Sequence, residues 1–373
     1  MRDTCTRVTA TGPPCMHTAM DRLLPDGIVD PHIHQWDPFS TPRTVSREAR
    51  LLRRFSRVPR WLTRVQPRAK AQFVADPHHL LKPYLPTDYH QDTGSIPVAS
   101  VVHIESETWV AQTHLDIVDE TRWVAGLGWN VDGAPALGAI VVNADPRWPD
   151  AADVLDAHLA ASDLVRGARF PAANHPDRAV LDFAHEPHLL SDPAFLRGFA
   201  AIAERGLTFD LWLYHHQLPD AVVLAEEYPD TTFVLDHYGT PVGIFGPRGK
   251  ATGRTAQDRA RLLARWHDDI AALAALPNVV AKHSGLGMPV LGGPPQRPAD
   301  VGATTQLVER CAPLIRHVQD VFGPDRTMWA SNYAIDKPVH TIPASVEVLT
   351  EVLGADADLS LLLRDVARRT YRL

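Results

Sequence analysis

Residues 29–38 read VDPHIHQWDP: Val29, Asp30, Pro31, His32, Ile33, His34, Gln35, Trp36, Asp37, Pro38. On a β-strand, side chains at i and i+2 leave the same face. His32 and His34 therefore project together, with Ile33 turned the other way. Two adjacent imidazoles are unusual packing material, but they suit a divalent cation or a polarised carbonyl oxygen. The stretch also bears on fold class. An open doubly wound sheet would carry a glycine-rich phosphate turn after its first strand, and PHIHQW is not one.

Beyond this stretch, short apolar runs alternate with helix-like segments. The strand candidates are 27–34, 97–104, 139–142, 165–169, 208–216, 232–237, 278–283 and 327–331. Helical patterns fall at 112–125, 150–161, 193–205, 219–227, 257–275 and 304–322. Such alternation implies a parallel sheet, and about eight repeats imply closure into a (β/α)8 barrel of the α/β class. The 373 residues, 45% hydrophobic, suit a barrel of about 250 residues with insertions.

The barrel is expected over 27–373, after a disordered extension at 1–26 in which Met16 and Met20 are alternative starts. A long insertion occupies about 40–95. Between Arg43 and Lys70 it holds ten Arg/Lys against one acid, Glu48. It reads either as a solvated, partly helical excursion or as a lid whose arginines attract an anionic substrate. Residues 238–256, rich in Gly and Thr, read as a loop at the same barrel end.

The net charge of −7 argues against nucleic acid as a partner. An odd three cysteines argue against a disulfide framework and for a reducing compartment. No apolar run reaches the roughly 20 residues that span a membrane, and the first 26 residues contain no signal-peptide core. A cytoplasmic protein acting on a small molecule is expected, with helices outside the barrel offering homodimer surfaces.

Several predicted strands end in polar residues: His103 and Glu105, Arg166 and Arg169, Tyr214 through Gln217, Asp236 and His237, Lys282 to Ser284, and Ser331, Asn332 and Asp336. In a (β/α)8 barrel the strand C-termini converge on one cavity, so these distant residues become neighbours. Alternation puts His103 and Glu105 on one face and turns Asp236 away from the cavity. Lys282, buried, needs a partner such as Glu105 or a substrate carboxylate. Trp36, next to the histidine pair, belongs at the pocket wall.

VDPHIHQWDP, VRGARF, FDLWLYHHQLPD, FVLDHYGTP, NVVAKHSGLG, RTMWASNYAIDKP and ARRTYRL occur in an order that resembles amidohydrolase-related TIM-barrel proteins. The likeness is strongest to the branch of sugar lactonases and pyrone dicarboxylate lactonase, and it covers about 27–373 outside the 43–90 insertion. It implies opening of a lactone by water, on a small anionic or polyhydroxylated substrate. It also implies one or two divalent metals, zinc foremost, on the first-strand pair His32 and His34, on His237 and on a fifth-strand histidine, here His215. His216 and Gln217 are the alternatives at that last position. The family's eighth-strand aspartate is replaced by Asn332, an amide that cannot serve as a base. That leaves Glu105 or Asp336 to handle the proton, and a metal-free alternative in which histidines and Arg169 polarise the carbonyl. Arg169, Lys282, His103, Tyr214 and Trp36 are the expected substrate contacts. The rival readings are a metal-dependent non-oxidative decarboxylase and an inactive ligand-binding barrel.

Overall fold

The computed structural model describes residue 24 and residues 26–54, 72–106 and 108–373. Apart from Leu24 and Asp26, the predicted N-terminal extension lies outside those residues, as does the 55–70 part of the arginine-rich run. Eight strands form one sheet: β1 (Ile28–Ile33), β2 (Val98–Ile104), β3 (Ala136–Asn143), β4 (Val165–Arg169), β5 (Thr208–Leu211), β6 (Phe233–Leu235), β7 (Val279–His283) and β8 (Thr327–Trp329). Each is parallel to the next in chain order. The ring is drawn shut between β8 and β1 by a parallel bridge of Ile33 with Tyr333. His34 N–H donates to Tyr333 O at 2.7 Å, and Ser331 N–H donates to Asp30 Oδ1 at 3.0 Å. The architecture is a (β/α)8 barrel, as the alternation of runs predicts.

Outside the strands lie α1 (Ser46–Arg54), α2 (Pro86–Thr93), α3 (Val118–Ala125), α4 (Ala151–Ala161), α5 (Pro193–Ala203), α6 (Leu218–Glu227), α7 (Ala256–Ala274), α8 (Ala303–Phe322), α9 (Ile342–Leu353) and α10 (Val366–Tyr371). α7 shows the local logic. Thr255 accepts from the Asp258 N–H, and the Asp258 carboxylate accepts from the Thr255 N–H, each at 3.0 Å, a reciprocal cap. Trp266, Ile270 and Leu273, at i, i+4 and i+7, are then buried against the barrel.

The strands are rich in β-branched residues and buried on both faces, as a covered parallel sheet requires. Val29, Val102, Ala139, Val234 and Met328 share one cluster with Tyr371. Side chains from β1, β2, β3, β6 and β8 can meet in this way only inside the ring, so this cluster is the barrel interior, and α10 plugs its lower end.

Two expectations change. β5 stops at Leu211 and not at 216, and β6 at Leu235 and not at 237. Arg43, the first residue of the basic run, is neither solvated nor free for an anion. It is 3% exposed, its guanidinium lies 2.7 Å from Glu120 Oε1, and it stacks 4.6 Å from the Trp109 ring. Among the described residues no helix is long and apolar enough to cross a membrane.

Candidate active site at the barrel mouth

β1 delivers both imidazoles inward. His32 Nε2 and His34 Nε2 stand 3.2 Å apart. Two nitrogens of one tetrahedral zinc, each at about 2.0–2.1 Å from the metal, would stand about 3.4 Å apart. His34 Nδ1 lies 3.0 Å from Ile104 O, so it carries the proton and leaves the Nε2 lone pair aimed at His32. His237 Nδ1 is 2.8 Å from Ser284 Oγ, and its ring centroid is 4.6 Å from that of His32. His32, Asp236 and His237 each bring a ligand atom within 4.8 Å of the others.

Asp236 does not face away, contrary to the alternation argument. β6 has already ended, and His237, Tyr238 and Thr240 have φ of +52°, +59° and +39°. In this left-handed stretch the period of two lapses, so Asp236 and His237 both enter the barrel. Asp236 Oδ1 lies 3.2 Å from His32 Nδ1 and 3.1 Å from Lys282 Nζ, and its Oδ2 lies 3.3 Å from Arg169.

Beneath the histidines runs a layer of buried charge. Lys282 Nζ is 3.0 Å from Asp210 Oδ1 and 3.1 Å from His32 Nδ1. Tyr371 donates to Asp210 Oδ1 at 2.6 Å. Arg169 Nε is 2.7 Å from Glu105 Oε1, and Asn143 donates to Glu105 Oε2 at 3.0 Å. Lys282 thus pairs with Asp210 and Asp236 rather than with Glu105. Burial pushes the Asp236 carboxyl up, but Lys282 and then His32 outweigh it and hold the group well below the carboxylate range. Burial lowers His34 to about 3, with Arg169 adding to the shift, and it lowers His237 to about 4 against the opposing pull of Asp236. Burial likewise holds His32 well below its ordinary value. All three rings are therefore neutral at pH 7, the form that binds a metal or donates to an oxyanion.

Above them opens a cavity of about 760 Å³, bordered by His34, His237, Asn332, Arg169, Trp36 and Trp212 among others. Asn332, at φ +55°, directs its amide N–H to Asp336 Oδ1 at 3.2 Å. Asp336 also accepts from the Gly287 N–H at 3.1 Å and is 1% exposed, a step behind the wall. The other expected residues lie elsewhere. His103 pairs in register with Ile33 and Ile140 and faces the helices, so it does not share a face with the cavity-lining groups. Tyr214 is buried behind Phe73 and Trp212. His215 lines a separate cleft with His175, His216 and Arg265. Gln217 accepts from the Asn174 and Tyr214 N–H groups and donates to Ala172 O, bracing the loop. With β5 ending at Leu211, the side chain that this strand presents to the cavity is Trp212.

Sequence reasoning missed Asp210, Tyr371 and Asn143, while Ser284, named among the polar strand ends, holds His237 Nδ1. Asp210 had a signal, an acid inside an otherwise apolar strand. Tyr371 had none, because nothing local shows that a tail reaches the barrel floor.

The barrel, its paired histidines and the histidine after β6 define the class, a TIM-barrel hydrolase. The chain belongs to the amidohydrolase family, whose sequence profile matches residues 29–373. It is 29% identical over 349 residues to the uncharacterized protein y4mH of Sinorhizobium fredii, covering 93% of this chain and 98% of that one. It is 27% identical over 305 residues to an L-fucono-1,5-lactonase of Burkholderia multivorans, covering 79% of this chain and 88% of that one. The crystal structure of a zinc-bound amidohydrolase from Burkholderia multivorans superposes with a TM-score of 0.63 at 21% identity, covering 93% of this chain and 99% of that one. At that identity the likeness speaks for the fold.

Proposed function

We propose that this barrel opens the ring of a lactone with water. One observation carries the reading: His32, His34 and His237, neutral through burial, converge beneath a cavity large enough for an organic substrate. The L-fucono-1,5-lactonase relative supports the reaction class. The donors fit a divalent cation, zinc foremost: His32, Asp236 and His237 each bring a ligand atom within 4.8 Å of the others, and His34 Nε2 stands 3.2 Å from His32 Nε2, so the histidines would hold it with Asp236 beside them. Such a cation supplies Lewis-acid polarisation of the lactone carbonyl.

The chain's own residues do the rest. Asp236 and Lys282 fix the His32 ring from its Nδ1 side. Asn332 borders the cavity with its amide N–H committed to Asp336, which leaves its carbonyl oxygen to orient the attacking water. Both candidate carboxylates are hydrogen-bonded, Glu105 to the Arg169 guanidinium and Asn143, and Asp336 to Asn332, the Gly287 N–H and His340. Asp336, with no guanidinium against it among the described residues and joined to the cavity wall through Asn332, is the one assigned to accept the proton.

The test measures acid release from a lactone panel by the protein as purified, after chelation and after reloading with zinc or manganese, with metal content read by elemental analysis. His34→Ala and His237→Ala are expected to lower kcat/KM by about a hundredfold or more, the scale of losing a transition-state electrostatic contact, and to lower bound metal. Activity that survives complete metal removal would replace the cation with the histidines and Arg169 as carbonyl polarisers. Release of CO₂ from aromatic acids with no lactone turned over would replace the reading itself with decarboxylation.

A further inference from the structure

We infer that the lactone taken here is apolar, carrying an alkyl chain or an aryl ring, and is not a sugar lactone or an anionic one. This rests on the lactone-opening reading and departs from the small anionic or polyhydroxylated substrate that the sequence implies.

The larger part of the cavity wall is hydrocarbon. Phe73, Phe183 and Trp212 form one aromatic face, with centroids 4.9 Å apart for Phe73–Phe183 and 4.3 Å for Phe183–Trp212. Trp36, Phe170 and Met288 extend it. These side chains come from four separate loops, after β1, β4, β5 and β7, where barrels place specificity.

Several polar groups of the wall are already engaged. Asn143 donates to Glu105, Ser106 is bonded to Arg43 and Glu120, and Asp182 accepts from the His175 N–H at 2.6 Å. A substrate hydroxyl pressed against this surface would forfeit its hydrogen bonds to water and find few replacements.

The cations are engaged too. Among the described residues, the two arginines bordering the cavity are Arg43 and Arg169. Arg43 is paired with Glu120, and Arg169 with Glu105 and Asp236. Lys282 has no exposed side-chain surface and does not border the cavity. Among the described residues, then, an anionic lactone would lose hydration without gaining an uncommitted cation. The volume, about 760 Å³, falls within the roughly 300–1,000 Å³ that encloses drug-sized ligands, far more room than a five- or six-membered ring needs.

The experiment uses the metal-loaded protein and compares δ-valerolactone, its 6-alkyl homologues up to δ-undecalactone, dihydrocoumarin, glucono-δ-lactone and a carboxylated δ-lactone. The expected result is a kcat/KM that rises about fourfold per methylene until the cavity is filled, mostly through KM, with dihydrocoumarin turned over and the sugar and anionic lactones about a hundredfold below the best alkyl homologue. Phe73→Asn and Phe183→Asn should flatten the chain-length slope. Preference for the sugar or anionic lactone, or a flat slope in the native protein, overturns the inference while leaving lactone opening in place. If no lactone reacts, the reaction reading fails. Tryptophan quenching by unreactive 2-alkylcyclohexanones then tests the pocket independently: affinity rising with chain length upholds an apolar ligand, and no dependence on chain length overturns it.

Discussion

Lys282 sits with no exposed side-chain surface between Asp210 and Asp236, at 3.0 and 3.1 Å, and 3.1 Å from His32. Removing one member of a buried ion cluster leaves the others charged and unsolvated, at a cost of about 3–5 kcal/mol. Lys282→Met is therefore expected to destabilise the fold by that amount in urea unfolding. A much smaller loss would mean that Asp210 and Asp236 are not both ionised around the lysine. Asn332 is a different case, because its identity was readable, and with it the shift of the proton to Glu105 or Asp336, but not the choice between them. The residue type shows at once that this position offers no carboxylate. Only the structure shows Asp336 immediately behind it, 3.2 Å away.

At the scale of elements, the helices around the barrel are clasped by buried polar pairs. His158 on α4 lies 2.7 Å from Thr121 Oγ1 on α3, and burial lowers it from 6.5 to about 4. As pH falls, the unfolded chain takes up this proton near 6.5 and the folded chain only near 4. The stabilisation is therefore whole above 6.5 and is lost as the pH falls toward 4. Unfolding free energy should climb with pH across this window, and His158→Gln should remove about 1.4 kcal/mol per pH unit of that slope. Urea midpoints between pH 4 and 7 would check it, an unchanged slope counting against a neutral buried ring. The same scale explains where alternation failed. Within β7 it puts Lys282 in the barrel correctly. After β5 and β6 the strands had already ended, so a period of two misplaced His215 and Asp236.

For the molecule as a whole, the end of the chain is part of the interior. Tyr371, two residues from the C-terminus, donates to Asp210 at 2.6 Å and packs with Val29, Val234 and Met328. Tyr371→Phe keeps the packing and deletes the hydrogen bond, so a loss of about 1–3 kcal/mol is expected, measurable by thermal unfolding. A variant as stable as the parent would show that the contact is replaceable by water. The tail thus connects the barrel floor to the ion layer that positions His32.

The order of the eight strands, the six helices from α3 to α8 between them, the barrel they build and the inward pair His32 and His34 were all determined by sequence alone. Hydrophobic period and residue spacing act locally, and each strand needs only its own pattern to declare itself. Tertiary structure alone decided which charges neutralise one another, that the fifth strand presents Trp212 rather than a histidine, and that the cavity is bordered by aromatic rings from the loops after β1 through β5. These facts depend on distances between residues far apart in the chain and on where each strand stops, and neither is written in any local pattern.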